Sequence, residues 1–178
     1  MPVIKFSKRQ HGFTLIEILI SVFILAVGLL GIASMQAQSL QFNFSAYQRS
    51  QATFLAYDII DRMRVNKPQA LLGSYNFALG AGPVSATDCQ ATGANCSTGD
   101  MANFDLTQWV CRLGNWNETA TCQGMNIEGP LAEGDGAVDV AVVGTRIRVT
   151  VTVTWLDNRT LDAADANRTE TFTVSSVL

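Results

Sequence analysis

Three sets of residues in this 178-residue chain have types and spacings that point to chemistry: a Gly-Phe junction followed by an acid, four clustered cysteines, and a lone histidine. Gly12-Phe13 closes a short leader carrying Lys5, Lys8 and Arg9, and Glu17 stands in the otherwise apolar run HGFTLIEILISVFILAVGLLG, from His11 to Gly31. An ionised carboxylate near one end of a membrane helix costs about 2 to 3 kcal/mol, so it demands a compensating partner. A free amine at Phe13, made by cutting after Gly12, would be such a partner. It would lie about one helical turn from Glu17 in the same chain, or beside it on a neighbouring subunit. Cleavage and the acid then belong to one mechanism.

Cys89, Cys96, Cys111 and Cys122 fall within 34 residues. Their gaps contain no CxxC knuckle and no histidine follows them, which favours two disulfides in an oxidising compartment over a zinc site. Four cysteines allow three pairings. The sequential one, Cys89 with Cys96 and Cys111 with Cys122, closes two short loops, each contributing about 2 to 3 kcal/mol; spacing alone does not choose among the three.

His11, the only histidine, lies in the leader. A chain cut after Gly12 keeps no imidazole for base or ligand work. The carboxylates show no paired spacing for acid–base catalysis, and neither a phosphate-binding glycine loop nor a GxSxG elbow is present. Neither an enzyme nor a cofactor is therefore expected. Asp157, Asp162 and Asp165 lack the EF-hand spacing and read as a solvated loop. NxS/T triplets begin at Asn43, Asn95, Asn117, Asn158 and Asn167 and read as hydroxyl-bearing groups facing solvent. Net charge is -3; without the leader, nine bases face fifteen acids, which argues against nucleic acid as the main partner.

The elements that must position these residues begin with a helix. From Phe13 to Met35 only Thr14, Glu17, Ser21 and Ser34 are polar, and at 1.5 Å per residue the run reaches about 35 Å, enough to cross a bilayer. Basic residues precede it and none lies between Phe13 and Gln48, so the N-terminus should stay in the cytoplasm while the rest is exported. A cleaved secretory signal fits less well, because the run is long and continues in helical register without an A-x-A break. Beyond Met35, Leu40, Phe44, Tyr47, Leu55, Ile59 and Met63 trace an oily face read as a seam against a sheet. DIIDRMR, with Asp58 and Arg62 four apart, reads as a solvated face. Asn66-Lys67-Pro68 stops the helix, giving a span from about Phe13 to Val65.

Residues 73 to 100, rich in Gly, Ala, Ser and Thr, read as a long loop. Trp109 and Trp116 read as local core. Beyond Gly136 the period becomes two: Ile147, Val149, Val151, Val153 and Trp155 point one way, and Arg146, Arg148, Thr150, Thr152 and Thr154 the other. Val138, Val140 and Val142 predict a preceding strand, Phe172 and Val174 a following one. The assembly is an α+β fold, with a meander of three or four antiparallel strands on the C-terminal half of the helix.

GFTLIE behind a short basic leader resembles the class III signal of type IV pilins and of the pseudopilins of type II secretion. The resemblance implies a pilin-like fold, cleavage after Gly12 by a membrane prepilin peptidase, N-methylation of Phe13, and a role for Glu17 in docking the subunit into a filament. AYQRSQATFLAYDIIDRMRVNK, residues 46 to 67, is similar to the same region of minor pilins of the PilV type, and pseudopilins do not share it. The likeness covers about residues 1 to 75. It implies a leader at 1–12, a transmembrane and filament-core helix at 13–35, its amphipathic continuation at 36–67, and a periplasmic β domain at 68–178. Expected partners are other minor pilins, the major pilin, the prepilin peptidase, the assembly platform and the inner membrane. A pseudopilin and a membrane-anchored adhesive domain working through residues 73 to 136 are the competing functions. Ser34 stands where major pilins commonly carry proline, leaving Gly28 and Gly31 to supply either local flexibility or close helix packing.

Overall fold

The computed structural model describes residues 12–144, 146–157 and 168–178. Lys5, Lys8, Arg9 and His11 of the leader, and Asn158, Asp162, Asp165 and Asn167 of the polar loop, lie outside the described residues. The chain divides into two units, Met1–Gln41 and Phe42–Leu178. Helix α1, Leu15–Val65, supplies residues to both. In the first unit every described residue up to Leu40 is exposed.

In the second unit α1 buries Gln48, Ala52, Leu55, Ala56, Ile59, Ile60 and Met63. Spacings of three and four put these on one stripe. The expected seam included Leu40, Phe44 and Tyr47, and all three are exposed. For Tyr47 the cause is phase: eight positions separate it from Leu55, which turns the two about 80° apart on a helix, while Leu40 lies in the first unit. The stripe is filled instead by small Ala52 and polar Gln48, which a search for large apolar side chains passes over.

Helix α1 stops where Asn66-Lys67-Pro68 predicts, and helix α2, Lys67–Leu71, begins with Pro68 in its first turn. Proline is tolerated there because the N–H it lacks has no helical acceptor. Next comes a stretch for which only loops were expected, yet helix α3 occupies Thr98–Leu113. Ser97 and Asp100 form a capping box: the serine hydroxyl accepts from the Asp100 N–H at 3.2 Å, and the carboxylate accepts from the Ser97 N–H at 3.0 Å. The Ser97 hydroxyl and backbone bonds hold the Asp100 carboxyl below its ordinary value. Gly114 ends α3 at φ 119°, and a Cβ there would overlap the Leu131 carbonyl oxygen, so no other residue fits. A short helix α4, Ala120–Gly124, follows, capped by the Thr119 hydroxyl.

Strands β1 (Asp135–Val143), β2 (Arg146–Leu156) and β3 (Thr169–Val177) form an antiparallel sheet in the order β1-β2-β3. Register pairs Val138 with Val151 and Val153 with Phe172. All five inward positions of β2, from Ile147 to Trp155, are buried as the alternation predicts, whereas Val142 of β1 is exposed. One core joins the stripe of α1, the inner face of α3 and this sheet. Trp109 of α3 sits at its centre: the indole N–H donates to the Leu55 carbonyl of α1 at 2.8 Å, and Phe77 meets the ring edge-on at 6.4 Å. Gly136 lies against the same ring, where a Cβ would come within 2.5 Å of Trp109 Cη2. Both tryptophans were expected in the core, and Trp116 packs against it, half-buried.

The charges of DIIDRMR are only partly a solvated face. Asp61 and Arg64 pair in the open, but Arg62 turns inward. Its Nε donates to Asp58 at 3.1 Å, and its Nη1 to Asp105 at 3.0 Å and Gln108 at 2.9 Å, both on α3. The Tyr75 hydroxyl donates to the second Asp105 oxygen at 2.8 Å, and Asn66 donates to Tyr75 at 3.2 Å and to the Thr98 carbonyl at 2.7 Å. The buried Asp105 carboxylate thus has a donor on each oxygen, as a desolvated anion requires.

Two outcomes follow from these polar groups. Burial, and then the bond to Asp105, push the Tyr75 phenol well above its ordinary value of about 10. Above about pH 10 the unfolded chain loses this proton and the folded one keeps it, so the contribution is full below that pH and shrinks as pH rises. Urea midpoints should fall between about pH 9 and pH 11, and fall less steeply in Tyr75→Phe. Separately, Gln48 is fully buried and its side-chain amide makes no hydrogen bond. Gln48→Met removes that cost and should raise stability by about 1 to 2 kcal/mol, seen as a higher urea midpoint.

Candidate functional site in the N-terminal segment

Gly12, Phe13 and Thr14 precede α1 and are exposed. Thr14 starts the helix: its carbonyl accepts from the Glu17 N–H at 3.1 Å and the Ile18 N–H at 3.3 Å, and its hydroxyl accepts from the Glu17 N–H at 3.4 Å. TLIE has the form of a capping box, S/T-x-x-E, and the role of Thr14 was legible there although the search for charge partners passed over it. Glu17 consequently lies in the first turn, where unpaired N–H groups and the helix dipole favour a negative charge. One turn on, the Ser21 hydroxyl donates to the Glu17 carbonyl at 2.7 Å, which satisfies the serine within its own helix.

Between Gly12 and Gln41 no charged side chain occurs besides Glu17. Around it, Ile16, Leu19, Ile20, Val22, Phe23, Ile24, and then the apolar residues up to Ile32, are exposed on every side of the helix. A helix apolar all round is stable only in an apolar surrounding, lipid or other helices. Its length and composition suffice to cross a membrane. A Cβ at Gly28 or Gly31 would meet nothing within 4 Å, so no contact inside the chain requires glycine at either position.

The four cysteines lie in the second unit, paired Cys89–Cys96 and Cys111–Cys122. The second bridge ties α3 to α4 and is fully buried; the first closes a loop ahead of α3. Among the described residues no group of three or more His, Cys, Asp or Glu is placed to hold a metal ion.

A long N-terminal helix whose second half packs on a three-stranded antiparallel sheet, with two disulfides in the connecting region, defines a type IV pilin-like fold. Residues 34–107 match the family model described as Type IV pilin Tt1218, and residues 7–33 match the prokaryotic N-terminal methylation motif, which takes in Gly12, Phe13 and Glu17. No curated protein and no solved structure matches the chain. The two family matches support a type IV pilin with an N-terminal methylation motif, and with it a pilus-related function. Type IV pilins are structural proteins; the family implies prepilin peptidase processing and assembly with other pilins. Motif and apolar helix together suggest membrane anchoring.

The bridges differ in what their loss should do. Cys111 and Cys122 are buried and join two helices, whereas Cys89 and Cys96 are half-buried. Replacing Cys111 and Cys122 by Ser should cost about 3 kcal/mol or more, loop entropy plus buried hydroxyls. The same change at Cys89 and Cys96 should cost about 2 kcal/mol. Thermal melts of the two double variants test that order.

Proposed function

We propose that this chain is a minor pilin of the PilV type. The leader, residues 1–12, is removed by a prepilin peptidase that cuts between Gly12 and Phe13, and Phe13 is then N-methylated. The helix over residues 13–35 holds the subunit in the inner membrane with its N-terminus cytoplasmic and residues 68–178 in the periplasm. From there the subunit enters a pilus, or the complex that initiates one, alongside other minor pilins, the major pilin and the assembly platform. The same apolar surface serves lipid first and neighbouring helices afterwards.

What carries this reading is Glu17: a single acid in the first turn of an uncovered apolar helix, four residues beyond a Gly-Phe junction inside a methylation-motif match. Its charge finds a counter-charge in the amine that cleavage creates at Phe13, on its own chain or the next. A neutralised acid enters a bundle of helices, whereas an unpaired one resists desolvation. The stretch from Ala46 to Lys67, whose likeness is to PilV-type minor pilins rather than to pseudopilins, supports the choice within the class.

In cells of the native host, mass spectrometry should find a chain beginning at methylated Phe13. Gly12→Val should retain the leader and keep the protein out of sheared pili. Glu17→Ala should leave cleavage and membrane insertion intact and reduce recovery in pili at least tenfold, the scale set by losing about 1.4 kcal/mol or more. Normal processing of Gly12→Val, or undiminished recovery of Glu17→Ala, would overturn the reading.

A further inference from the structure

A cavity of about 400 Å³ lies among three walls: the segment from Ser85 to Gln90, the face of α3 that carries Phe104 and Gln108, and α4 with Met125 beyond it. Its size falls in the range of small-ligand sites. Each wall is held in place. The Thr107 hydroxyl of α3 donates to the Val84 carbonyl at 3.0 Å, and Gly82 lies against the Trp116 ring, where a Cβ would come within 3.3 Å. The Cys89–Cys96 bridge closes the loop that continues the first wall, and the Cys111–Cys122 bridge ties the other two together. Walls fixed in advance need little ordering when a ligand enters, which lowers the cost of binding.

Gln108 sets the chemistry of the floor. It is 6% exposed, and its side-chain oxygen accepts from Arg62 at 2.9 Å, which fixes the orientation of the amide. The nitrogen then lies toward Gln90, whose oxygen it reaches at 3.4 Å, longer than an ordinary N–H to oxygen bond. Its second N–H has no acceptor among the described residues. A buried donor so poorly matched costs free energy that an entering oxygen recovers. At the rim, one oxygen of Asp88 accepts from the Gln90 N–H at 2.9 Å, and the other is unbonded. The Ser85 and Thr121 hydroxyls also line the cavity, with Phe104, Ala86 and Met125 adding apolar surface. Among the described residues no cationic side chain lines it, so an anion would meet Asp88 without compensation.

We propose that this cavity binds a sugar that carries an acetamido group. An acetamido group needs a donor for its oxygen, an acceptor for its N–H and an apolar patch for its methyl. Gln108 supplies the first, Asp88 the second, and Phe104 with Met125 the third. Ring hydroxyls both donate and accept, and they find Ser85, Thr121 and the Gln90 amide. A peptide offers the same amide without those hydroxyls.

NMR spectra of the full chain in detergent micelles should show the Gln108 side-chain amide signal shifting saturably as N-acetylglucosamine is added, with a dissociation constant on the order of 1 mM. Glucose, which lacks the acetamido group, should bind at least tenfold more weakly, and so should N-acetylalanine methylamide, which lacks the ring. A methyl glycoside bound as tightly as the free sugar supports the end of a glycan as the source, and a weaker one a free monosaccharide. Asp88→Asn keeps an acceptor for the Gln90 N–H but replaces the unbonded oxygen by a donor, so it should weaken binding at least tenfold. Gly124→Leu adds a side chain to the cavity wall where a Cβ meets no atom within 4 Å, and should abolish binding at an unchanged melting temperature. Absence of a saturable shift, equal binding of glucose or of the methylamide, or unaltered binding by either variant would overturn the proposal. The site lies within residues 85–125, so its failure would leave the processing of Gly12-Phe13 untouched, and the converse holds.

Discussion

A single helix here must satisfy two incompatible surroundings. From Leu15 to Met35 it is apolar apart from Glu17, Ser21 and Ser34 and exposed throughout, while from Gln48 to Met63 only one stripe is buried and the opposite face carries charge. Because α1 is one element, the place where its character changes fixes where the folded unit begins, near Phe42. The first part gains nothing from folding by itself and acquires stability only from lipid or from other helices. The second part contributes the central stripe of a core that the sheet and α3 complete. The proposed assembly role rests on this constraint rather than on any pocket or side-chain cluster.

Electrostatics follows the same division. Among the described residues of the first unit Glu17 has no counter-charge and is favoured by the start of its helix. In the second unit the buried Asp105 carboxylate is matched by Arg62 and Tyr75, and Arg62 is shared with Asp58. That network locks α1 to α3 by bonds that require defined geometry, whereas the exposed Asp61–Arg64 pair adds little. Satisfied charge holds the folded unit together.

The region between Gly73 and Gly136 is less a free surface than its composition suggests. Helix α3 places ten residues in the interior and the buried bridge ties it to α4, so much of this stretch serves packing. A surface built for adhesion alone would not need Trp109 hydrogen-bonded to the backbone of α1.

Local pattern determined a large part of this molecule. The apolar run, the Gly12-Phe13 junction with its acid, the stop at Asn66-Lys67-Pro68 and the alternation of β2 were legible because each depends on neighbours within a few residues in sequence. Helix α3 was within reach by the same rule: Ser97 and Asp100 form its capping box and Gly114 ends it, but glycine and polar residues just upstream masked the signal. Only the tertiary structure decided which face of α1 is core, that Arg62 turns inward to Asp105 and Gln108, and which cysteines pair. Each of those depends on residues from seven to more than a hundred positions apart being brought together, and such long-range contacts are chosen by the packing of the whole unit rather than by the spacing of residues along the chain.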